Sequence, residues 1–358
     1  MSNYNNLIDM DDYTVPQWNE IIALGEKIKA NPEEYSEKCK GKIMATLFYE
    51  PSTRTQMSFQ AAMLRLGGSL IGFDNPSNSS VAKGENLKDT IKIVSTYSDI
   101  LVMRHTQEGA AKAAALCADC HVINAGDGGH LHPTQTLTDL LTLKCELGRL
   151  DNLTVGLCGD LKYGRTVHSL VKALSCFPNN KFVLISTPAL ALPGYIKDVL
   201  KGRGAEFIEV NTIDEAIKDL DMLYMTRIQR ERFDSEDEYL KQRDVYCLTK
   251  AKMEYARKDM IVMHPLPRVN EIEVAVDDDP RAAYFRQANN GMYVRMALIL
   301  YTMTQQPKVK PLLTGEIHNN VECTNPKCIT RTEKYLPHSY INHGDILMCE
   351  YCDERILL

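Results

Sequence analysis

The segment FYEPSTRT, residues 48–55, combines residue types that suit an anion. An apolar run ends there, a proline interrupts it, and an amphipathic pattern that predicts a helix begins. Backbone N–H groups at the start of a helix bind anions, and the hydroxyls of Ser52, Thr53 and Thr55 would add donors. With the guanidinium of Arg54 they predict a phosphate site. Taken alone, the segment is equally compatible with an ordinary helix cap followed by an exposed arginine.

Further polar groups follow other predicted strands in the first half of the chain. Arg104 and His105 come directly after the apolar run DILVM, and HPTQ (132–135) lies between a glycine-rich turn and a helical pattern. A single histidine beside a turn is usually structural. Several cationic and hydrogen-bonding groups at strand ends favour a binding cleft instead, which makes His132 and Gln135 candidates.

The second half of the chain repeats this arrangement with arginines. Arg227 and Gln229 end the run DMLYMTRIQ, and HPLPR (264–268) ends DMIVM. Solvated surface charge is one interpretation, but arginines at strand ends of one domain suit a small dicarboxylate better. GDLKYGRT (159–166) matches the spacing of a nucleotide-binding P-loop, except that Arg165 replaces its lysine. We favour carboxylate binding, because a guanidinium suits that geometry and no second nucleotide signature is present.

Four of the 11 cysteines form two close pairs near the end of the chain, as Cys323-x4-Cys328 and Cys349-x2-Cys352. Four thiolates with this spacing predict a closed tetrahedral zinc site of structural type, one per chain. A disulfide pair is the alternative. The other cysteines are scattered, and the odd total argues against a secreted disulfide framework. CADC (117–120) has redox-motif spacing but no partner pair, so we interpret it as structural.

The elements that position these groups follow an α/β pattern. From about Lys42, short β-rich runs alternate with helical patterns, and a second such series begins near Asp151. We therefore expect two doubly wound parallel-sheet domains with a site outside the carboxyl ends of the strands, followed by a small β-rich module that needs a metal to fold. The expected divisions are the first domain at 1–150, the second at 151–290, a returning helix at 291–306, a linker at 307–316 and the four-cysteine module at 317–358.

The charge balance excludes some partners. A formal net charge of -6 provides no basic surface of the kind that binds nucleic acid or anionic membranes. The first 14 residues are polar and acidic, and no stretch approaches the roughly 18 apolar residues of a membrane span. We expect a cytoplasmic protein with neither nucleic-acid nor membrane partner.

Six ordered segments resemble aspartate carbamoyltransferase catalytic chains: FYEPSTRT, MRHTQEGAA, GDGGHLHPTQTLTDLL, GDLKYGRTVHSL, LYMTRIQRER and MHPLPR. The resemblance covers roughly the first 305 residues. Ornithine carbamoyltransferases carry a motif similar to STRT, whereas HPLPR and the TRIQ arginine resemble the aspartate branch. The resemblance implies transfer of the carbamoyl group of carbamoyl phosphate to L-aspartate, the second step of pyrimidine biosynthesis, without an organic cofactor.

The resemblance also implies three groups of substrate-binding residues. The phosphate of carbamoyl phosphate would be held by Ser52, Thr53, Arg54 and Thr55. Its carbamoyl group would be bound by Thr55, Arg104, His132, Gln135 and the backbone carbonyls of Pro265 and Leu266. Aspartate would be bound by Arg165, Arg227 and Gln229.

NSSVAKGE (78–85) resembles the family's mobile loop, whose serine and lysine reach a neighbouring subunit's site. Lys83 matches the lysine, and Ser79 and Ser80 compete for the serine role. The implied assembly is a homo-oligomer, a trimer or a multiple of one.

The tail from Cys323 onward resembles the zinc-binding domain of aspartate carbamoyltransferase regulatory chains, here without the nucleotide-binding domain that normally precedes it. Two alternatives remain: an ornithine-type or other carbamoyltransferase, and a non-catalytic zinc-containing interaction protein.

Overall fold

The computed structural model describes residues 4–228, 235–242, 245–306 and 311–357. The chain divides into two compact units. The first unit comprises Met1–Thr134 together with Met292–Leu358, and the second comprises Gln135–Gly291.

The first unit contains a four-stranded parallel sheet. Its strands are β1 (Ile43–Phe48), β2 (Ser69–Phe73), β3 (Ile100–His105) and β4 (His121–Asp127), in the order β2-β1-β3-β4. The accompanying helices are α1 (Val15–Ala30), α2 (Thr53–Arg65), α3 (Leu87–Tyr97) and α4 (Ala110–Cys117). β3 is buried along its whole length and β1 along all but its first residue, as expected for parallel strands covered on both faces. β2 lies at the edge and is partly exposed.

The second unit contains a five-stranded parallel sheet. Helix α5 (Pro133–Leu147) leads into the strands β5 (Thr154–Cys158), β6 (Lys181–Ile185), β7 (Glu206–Val210), β8 (Met222–Met225) and β9 (Ile261–Met263). Their order is β7-β6-β5-β8-β9, so the winding direction reverses between β5 and β8. The helices are α6 (Arg165–Leu174), α7 (Gly194–Gly202), α8 (Glu236–Gln242), α9 (Lys250–Met253) and α10 (Tyr284–Thr304), which runs back into the first unit. Ligands of such sheets bind where the strand order reverses.

The C-terminal module is a four-stranded antiparallel sheet. It is formed by β10 (Glu316–Ile317), β11 (Ser339–Asn342), β12 (Ile346–Cys349) and β13 (Arg355–Leu357), paired in chain order. Ile329, Leu336 and Tyr351 of this module share one apolar cluster with Ala110 and Ala114 of α4. Because all of these residues belong to the first unit, the module docks on the parallel-sheet domain of that unit.

Backbone hydrogen bonds and polar side chains reinforce this docking. The Glu108 N–H donates to the Lys327 carbonyl, and the Ile329 N–H donates to the Glu108 carbonyl, both at 2.9 Å. The His130 ring contacts Asp127 of its own loop through Nδ1 at 3.2 Å and Asp353 of the module through Nε2 at 3.0 Å. The module is thus attached to the loop that connects β4 with α5.

The predicted fold class is confirmed. Two parallel-sheet α/β units are present, and the four-cysteine module is β-rich and antiparallel. Within the ranges that the structure describes, no helix combines the length and apolar character that a membrane span requires.

Candidate active site and metal centre

The predicted anion-binding turn lies between β1 and α2. β1 ends at Phe48 and α2 begins at Thr53, so Ser52 occupies the position that caps the helix. The Ser52 side chain makes no capping hydrogen bond, and the first-turn amides therefore face outward without that partner. Thr55 is buried, whereas Thr53 and Arg54 are exposed. This arrangement suits an anion at the start of α2.

Sheet register brings Arg104 beside this turn. Phe48 is paired with Arg104 between β1 and β3, and the Tyr49 N–H donates to the Arg104 carbonyl at 2.8 Å. The buried Arg104 guanidinium lies 3.0 Å from the Glu50 carboxylate and donates to the Ala125 carbonyl at 3.3 Å. Its Nε has no hydrogen-bond partner among the described residues. A buried N–H donor without a partner is what a bound substrate oxygen would satisfy.

The two guanidinium groups act on each other. Partial burial lowers the pKa of Arg54, and the positive charge of Arg104 lowers it further. Burial also lowers the pKa of Arg104, while the neighbouring carboxylate of Glu50 acts in the opposite direction. Both side chains stay charged at neutral pH, because guanidinium pKa values lie above about 12. A phosphate between them would replace this repulsion by two attractive interactions.

His132 lies at the same edge of the sheet, after β4. Asp127 organises the connecting loop by accepting hydrogen bonds from Gly109 N–H at 2.7 Å and Leu131 N–H at 3.0 Å. His132 itself is buried, with its Nδ1 3.4 Å from the Thr134 hydroxyl. His105, the neighbour of Arg104, is different: burial lowers its pKa to about 4, and its Nδ1 accepts from the Gln107 N–H. We therefore regard His105 as a neutral structural residue.

The loop at 78–85 forms two short 3-10 turns, Pro76–Asn78 and Ser80–Lys83. Ser79 caps the second turn, since its hydroxyl accepts from the Val81 N–H at 3.3 Å and donates to the Pro76 carbonyl at 2.7 Å. Ser80 and Lys83 are exposed. Local bonding thus occupies Ser79, whereas Ser80 and Lys83 face solvent.

In the second unit, the predicted aspartate-binding arginines follow the two strands at which the winding reverses. Arg165 begins α6 after β5, and Arg227 follows β8. Cys158 of β5 is paired with Met225 of β8, so both arginines emerge at the same edge, and both are half-buried. Gln229 lies outside the described residues.

The P-loop interpretation of residues 159–166 does not suit this geometry. Asp160 is fully buried within the turn, and its carboxylate accepts a hydrogen bond from the Tyr163 N–H at 2.9 Å. A buried carboxylate beside the loop amides would oppose a polyphosphate.

The HPLPR segment follows β9 at the neighbouring strand. Tyr224 of β8 is paired with Met263, which places residues 264–268 beside the arginine that follows β8. Leu266 adopts a left-handed backbone with φ of 53°, and the Leu266–Pro267 peptide bond is cis. Arg268 forms an ion pair with Asp277 and is therefore structural.

Two buried carboxylates that hold these groups were not predicted from the sequence. Asp127 holds the loop before His132, and Asp139 accepts a hydrogen bond from Gln135 Nε2 at 2.8 Å. The spacing of Gln135 and Asp139, four residues apart on a helix, was the available signal.

The four cysteines of the module form a compact cluster. Their sulfur atoms all lie within 4.8 Å of one another, with Cys323 and Cys352 at 3.5 Å and Cys328 and Cys349 at 3.9 Å. Zn–S bonds of about 2.3 Å in a tetrahedron require S···S separations of about 3.8 Å. All four are buried free thiols. The cluster therefore fits a single metal ion held by four thiolates, and no disulfide joins these cysteines.

CADC does not share this character. Cys120 is buried and Cys117 is half-buried, and burial raises the pKa of each thiol to about 11. Thiols of this kind are poor nucleophiles, which agrees with the structural interpretation.

Comparison with known families agrees with this geometry. Residues 5–145 match the carbamoyl-P binding domain of aspartate/ornithine carbamoyltransferases, residues 151–302 match their Asp/Orn binding domain, and residues 315–357 match the metal-binding domain of the aspartate carbamoyltransferase regulatory chain.

Individual relatives cover the catalytic part. The aspartate carbamoyltransferase catalytic subunit of Clostridium novyi (strain NT) is 59% identical over 294 residues, which is 82% of this chain and 96% of the relative. The catalytic subunit of M. jannaschii aspartate transcarbamoylase is 47% identical, with a TM-score of 0.77 over 83% of this chain and 97% of that chain. The Trypanosoma cruzi enzyme in complex with carbamoyl phosphate and aspartate is 38% identical, with a TM-score of 0.79 over 84% and 97%. The chain therefore belongs to the aspartate carbamoyltransferase family, and it carries the catalytic domains and the regulatory-chain metal-binding domain in one polypeptide.

Proposed function

We propose that the protein transfers the carbamoyl group of carbamoyl phosphate to the α-amine of L-aspartate, forming N-carbamoyl-L-aspartate and phosphate. The observation that carries this proposal is the pairing of Phe48 with Arg104, which joins the open helix start of α2 to a second guanidinium with an unpartnered N–H. That combination suits a small phosphate ester with a carbonyl oxygen beside it.

The chemistry needs positive donors and positioning. The neutral amine nitrogen forms a bond to the carbamoyl carbon, negative charge grows on the carbonyl oxygen, the C–O bond to phosphate breaks, and the amine loses a proton. Thr55, Arg104 and His132 would stabilise the oxyanion. Arg54 and Lys83 would balance the charge on the departing phosphate. Holding two small anions in line can contribute about 7 to 11 kcal/mol in favourable cases.

Each unit would contribute its own substrate-binding residues. In the first unit, Ser52, Thr53, Arg54 and Thr55 would hold the phosphate, and the carbamoyl group would contact Thr55, Arg104 and His132. In the second unit, Gln135 and the carbonyls of Pro265 and Leu266 would contact the carbamoyl group, and Arg165, Arg227 and Gln229 would bind aspartate. For the domains we retain the divisions 1–150, 151–290, 291–306, 307–316 and 317–358.

The test is a carbamoyl-transfer assay that compares L-aspartate with L-ornithine. We expect product with aspartate and none above background with ornithine. Transfer to ornithine, or no transfer to either amino acid, would contradict the proposal. Because the variant Arg54→Ala removes a phosphate ligand, it should abolish the activity and serves as the control for a contaminating enzyme.

We propose that the active assembly is a homotrimer, or a multiple of it, in which Ser80 and Lys83 complete a neighbour's site. Supporting this, Met57 and Leu64 are 63% and 57% exposed and lie seven residues apart on α2, hence on one helix face. Ile71 on the edge strand β2 is also exposed. Apolar surface of this kind suits contact with a second copy. The bonding of Ser79 within its own turn favours Ser80 as the loop serine.

A complementation experiment tests the shared site. Arg54→Ala and Lys83→Ala are each expected to be inactive. Mixed trimers would contain some sites in which both residues are intact, so activity should return on mixing. If hybrids verified by mass spectrometry stay inactive, each site is built from one chain.

We propose that the four-thiolate cluster binds one structural Zn²⁺ per chain. Zinc suits this ligand set because it accepts a closed tetrahedron of soft thiolates. It would fold the module and take no part in the reaction. We also propose a cytoplasmic location, because a cluster of four thiolates that bind zinc suits a compartment in which thiols are kept reduced.

A further inference from the structure

A buried carboxylate in the second unit receives hydrogen bonds from three side chains. Asp139 on α5 is fully buried. Its Oδ1 is 2.8 Å from Gln135 Nε2 and 2.7 Å from Gln287 Nε2, and its Oδ2 is 2.9 Å from the Tyr224 hydroxyl. Burial of a carboxylate is costly, and here the three donors offset that cost. An apolar residue would fill the same space without the cost, so the carboxylate suggests a role beyond packing.

The direction of these hydrogen bonds follows from one backbone group. The His264 N–H, which can only donate, is 2.8 Å from Gln287 Oε1. Gln287 therefore has its NH₂ end towards Asp139 and donates to Oδ1. Since Oδ1 accepts that bond, its second neighbour must also be a donor. The amide of Gln135 is thus oriented with Nε2 on Asp139, and Oε1 is its acceptor end.

The same network reaches the HPLPR segment. The Leu266 N–H donates to His264 Nδ1 at 2.8 Å, so the ring proton lies on Nε2 and is donated to Glu271 Oε1 at 2.7 Å. Glu271 Oε2 accepts from the N–H groups of Val269 at 2.9 Å and Asn270 at 3.0 Å. A continuous series of hydrogen bonds therefore links Asp139, through Gln287 and His264, to the backbone of residues 264–270.

Tyr224 supports the acceptor role of the carboxylate. Burial, followed by the negative charge of Asp139, raises the pKa of Tyr224 well above its usual value. The phenol therefore keeps its proton and donates it to Oδ2. Tyr224 also forms a side-chain hydrogen bond with Gln135 and therefore belongs to the same network.

We propose that Asp139 is a positioning residue that determines substrate specificity: it holds Gln135 with its oxygen as the presented acceptor. This inference rests on the proposed function, in which Gln135 contacts the carbamoyl group. An oxygen acceptor fits the NH₂ of carbamoyl phosphate and has no partner in the methyl group of acetyl phosphate. A site whose polar group loses its partner rejects such an analogue. Without Asp139 the side-chain amide of Gln135 can rotate and present its NH₂ group instead of its oxygen. Discrimination against acetyl phosphate then weakens.

The test measures the KM for carbamoyl phosphate and the inhibition constant of acetyl phosphate, each with L-aspartate as the acceptor. The ratio of inhibition constant to KM reports the discrimination, which general loosening of the fold does not change selectively. We expect Asp139→Leu to lower this ratio roughly three- to tenfold, the equivalent of one hydrogen bond. Asp139→Asn keeps an acceptor for Gln135 and should retain the wild-type ratio.

The outcomes are distinguishable. A wild-type protein that does not carbamoylate aspartate refutes the proposed function itself. An active wild type whose ratio is the same in Asp139→Leu overturns the role of Asp139, as does an equal fall of the ratio in Asp139→Asn. If Asp139→Leu does not fold by circular dichroism, Asp139→Ala, which leaves space and offers no acceptor, takes its place with the same expected ratio.

Discussion

The docking of the metal-binding module can be tested at a single glycine. Gly109 precedes α4 with φ of 83°, in the left-handed region. A Cβ placed there would lie 2.6 Å from both the Cβ and the backbone oxygen of Tyr351 in the module. Neither atom is the flexible end of a side chain. Gly109→Ala must therefore strain its own backbone and displace the module.

The two costs can be separated with a matched control. A non-glycine residue in the left-handed region costs roughly 1–2 kcal/mol. Overpacking in a contact that cannot yield adds about 1–3 kcal/mol. Gly41 has a similar φ of 77°, but a Cβ there meets nothing within 4 Å, so Gly41→Ala has only the backbone cost. The second cost should act on docking, and it corresponds to a change of roughly 5- to 150-fold in the docking equilibrium.

Amide hydrogen exchange at Glu108 and Ile329 measures this equilibrium, because both N–H groups donate across the docking interface. We expect their protection to fall roughly 5- to 150-fold in Gly109→Ala compared with Gly41→Ala. Amides of the second unit should exchange alike in both variants. Equal protection of Glu108 and Ile329 in the two variants would refute the reasoning, and the module would then not be held by this contact.

Three further predictions concern substrate, metal and pH. Arg227→Ala should lower kcat/KM for aspartate by roughly 10- to 150-fold, since it removes a charged hydrogen bond of about 1.5 to 3 kcal/mol, with little change in the KM for carbamoyl phosphate. Cys349→Ser together with Cys352→Ser should abolish metal binding and unfold the module, while circular dichroism shows the α/β units intact; metal retained by this variant would contradict the assignment. Burial would lower the pKa of His130, but the charges and hydrogen bonds of its two aspartate partners raise it well above its usual value. Its contribution to docking is therefore complete below the unfolded-state pKa and is lost as the pH rises through the folded-state pKa, and His130→Gln should remove this dependence in exchange experiments.

Much of the candidate site could be predicted from sequence because its residues follow strand ends. Parallel strands end at one edge of a sheet, so Arg54, Arg104 and His132 were expected to lie near one another before any pairing was known. The register of β1 and β3 then showed why Arg104 is the partner of the turn at 48–55. Sequence could not separate Ser79 from Ser80, because capping by Ser79 depends on the turn that the loop adopts.

The sequence by itself determined the fold class and the four cysteines that cluster in the C-terminal module. The spacing at which apolar residues recur specifies strands and helices from local sequence alone. Two cysteine pairs that lie close together in sequence can bind one metal ion. Only the tertiary structure decided that the module docks on its own chain and that Asp139 accepts hydrogen bonds from both Gln135 and Gln287. Both depend on contacts between residues far apart in sequence, such as Glu108 with Ile329 and Asp139 with Gln287. Such contacts form only when the whole chain packs, and a buried hydrogen-bond network leaves little trace in local periodicity because each member is an isolated polar residue within an apolar segment.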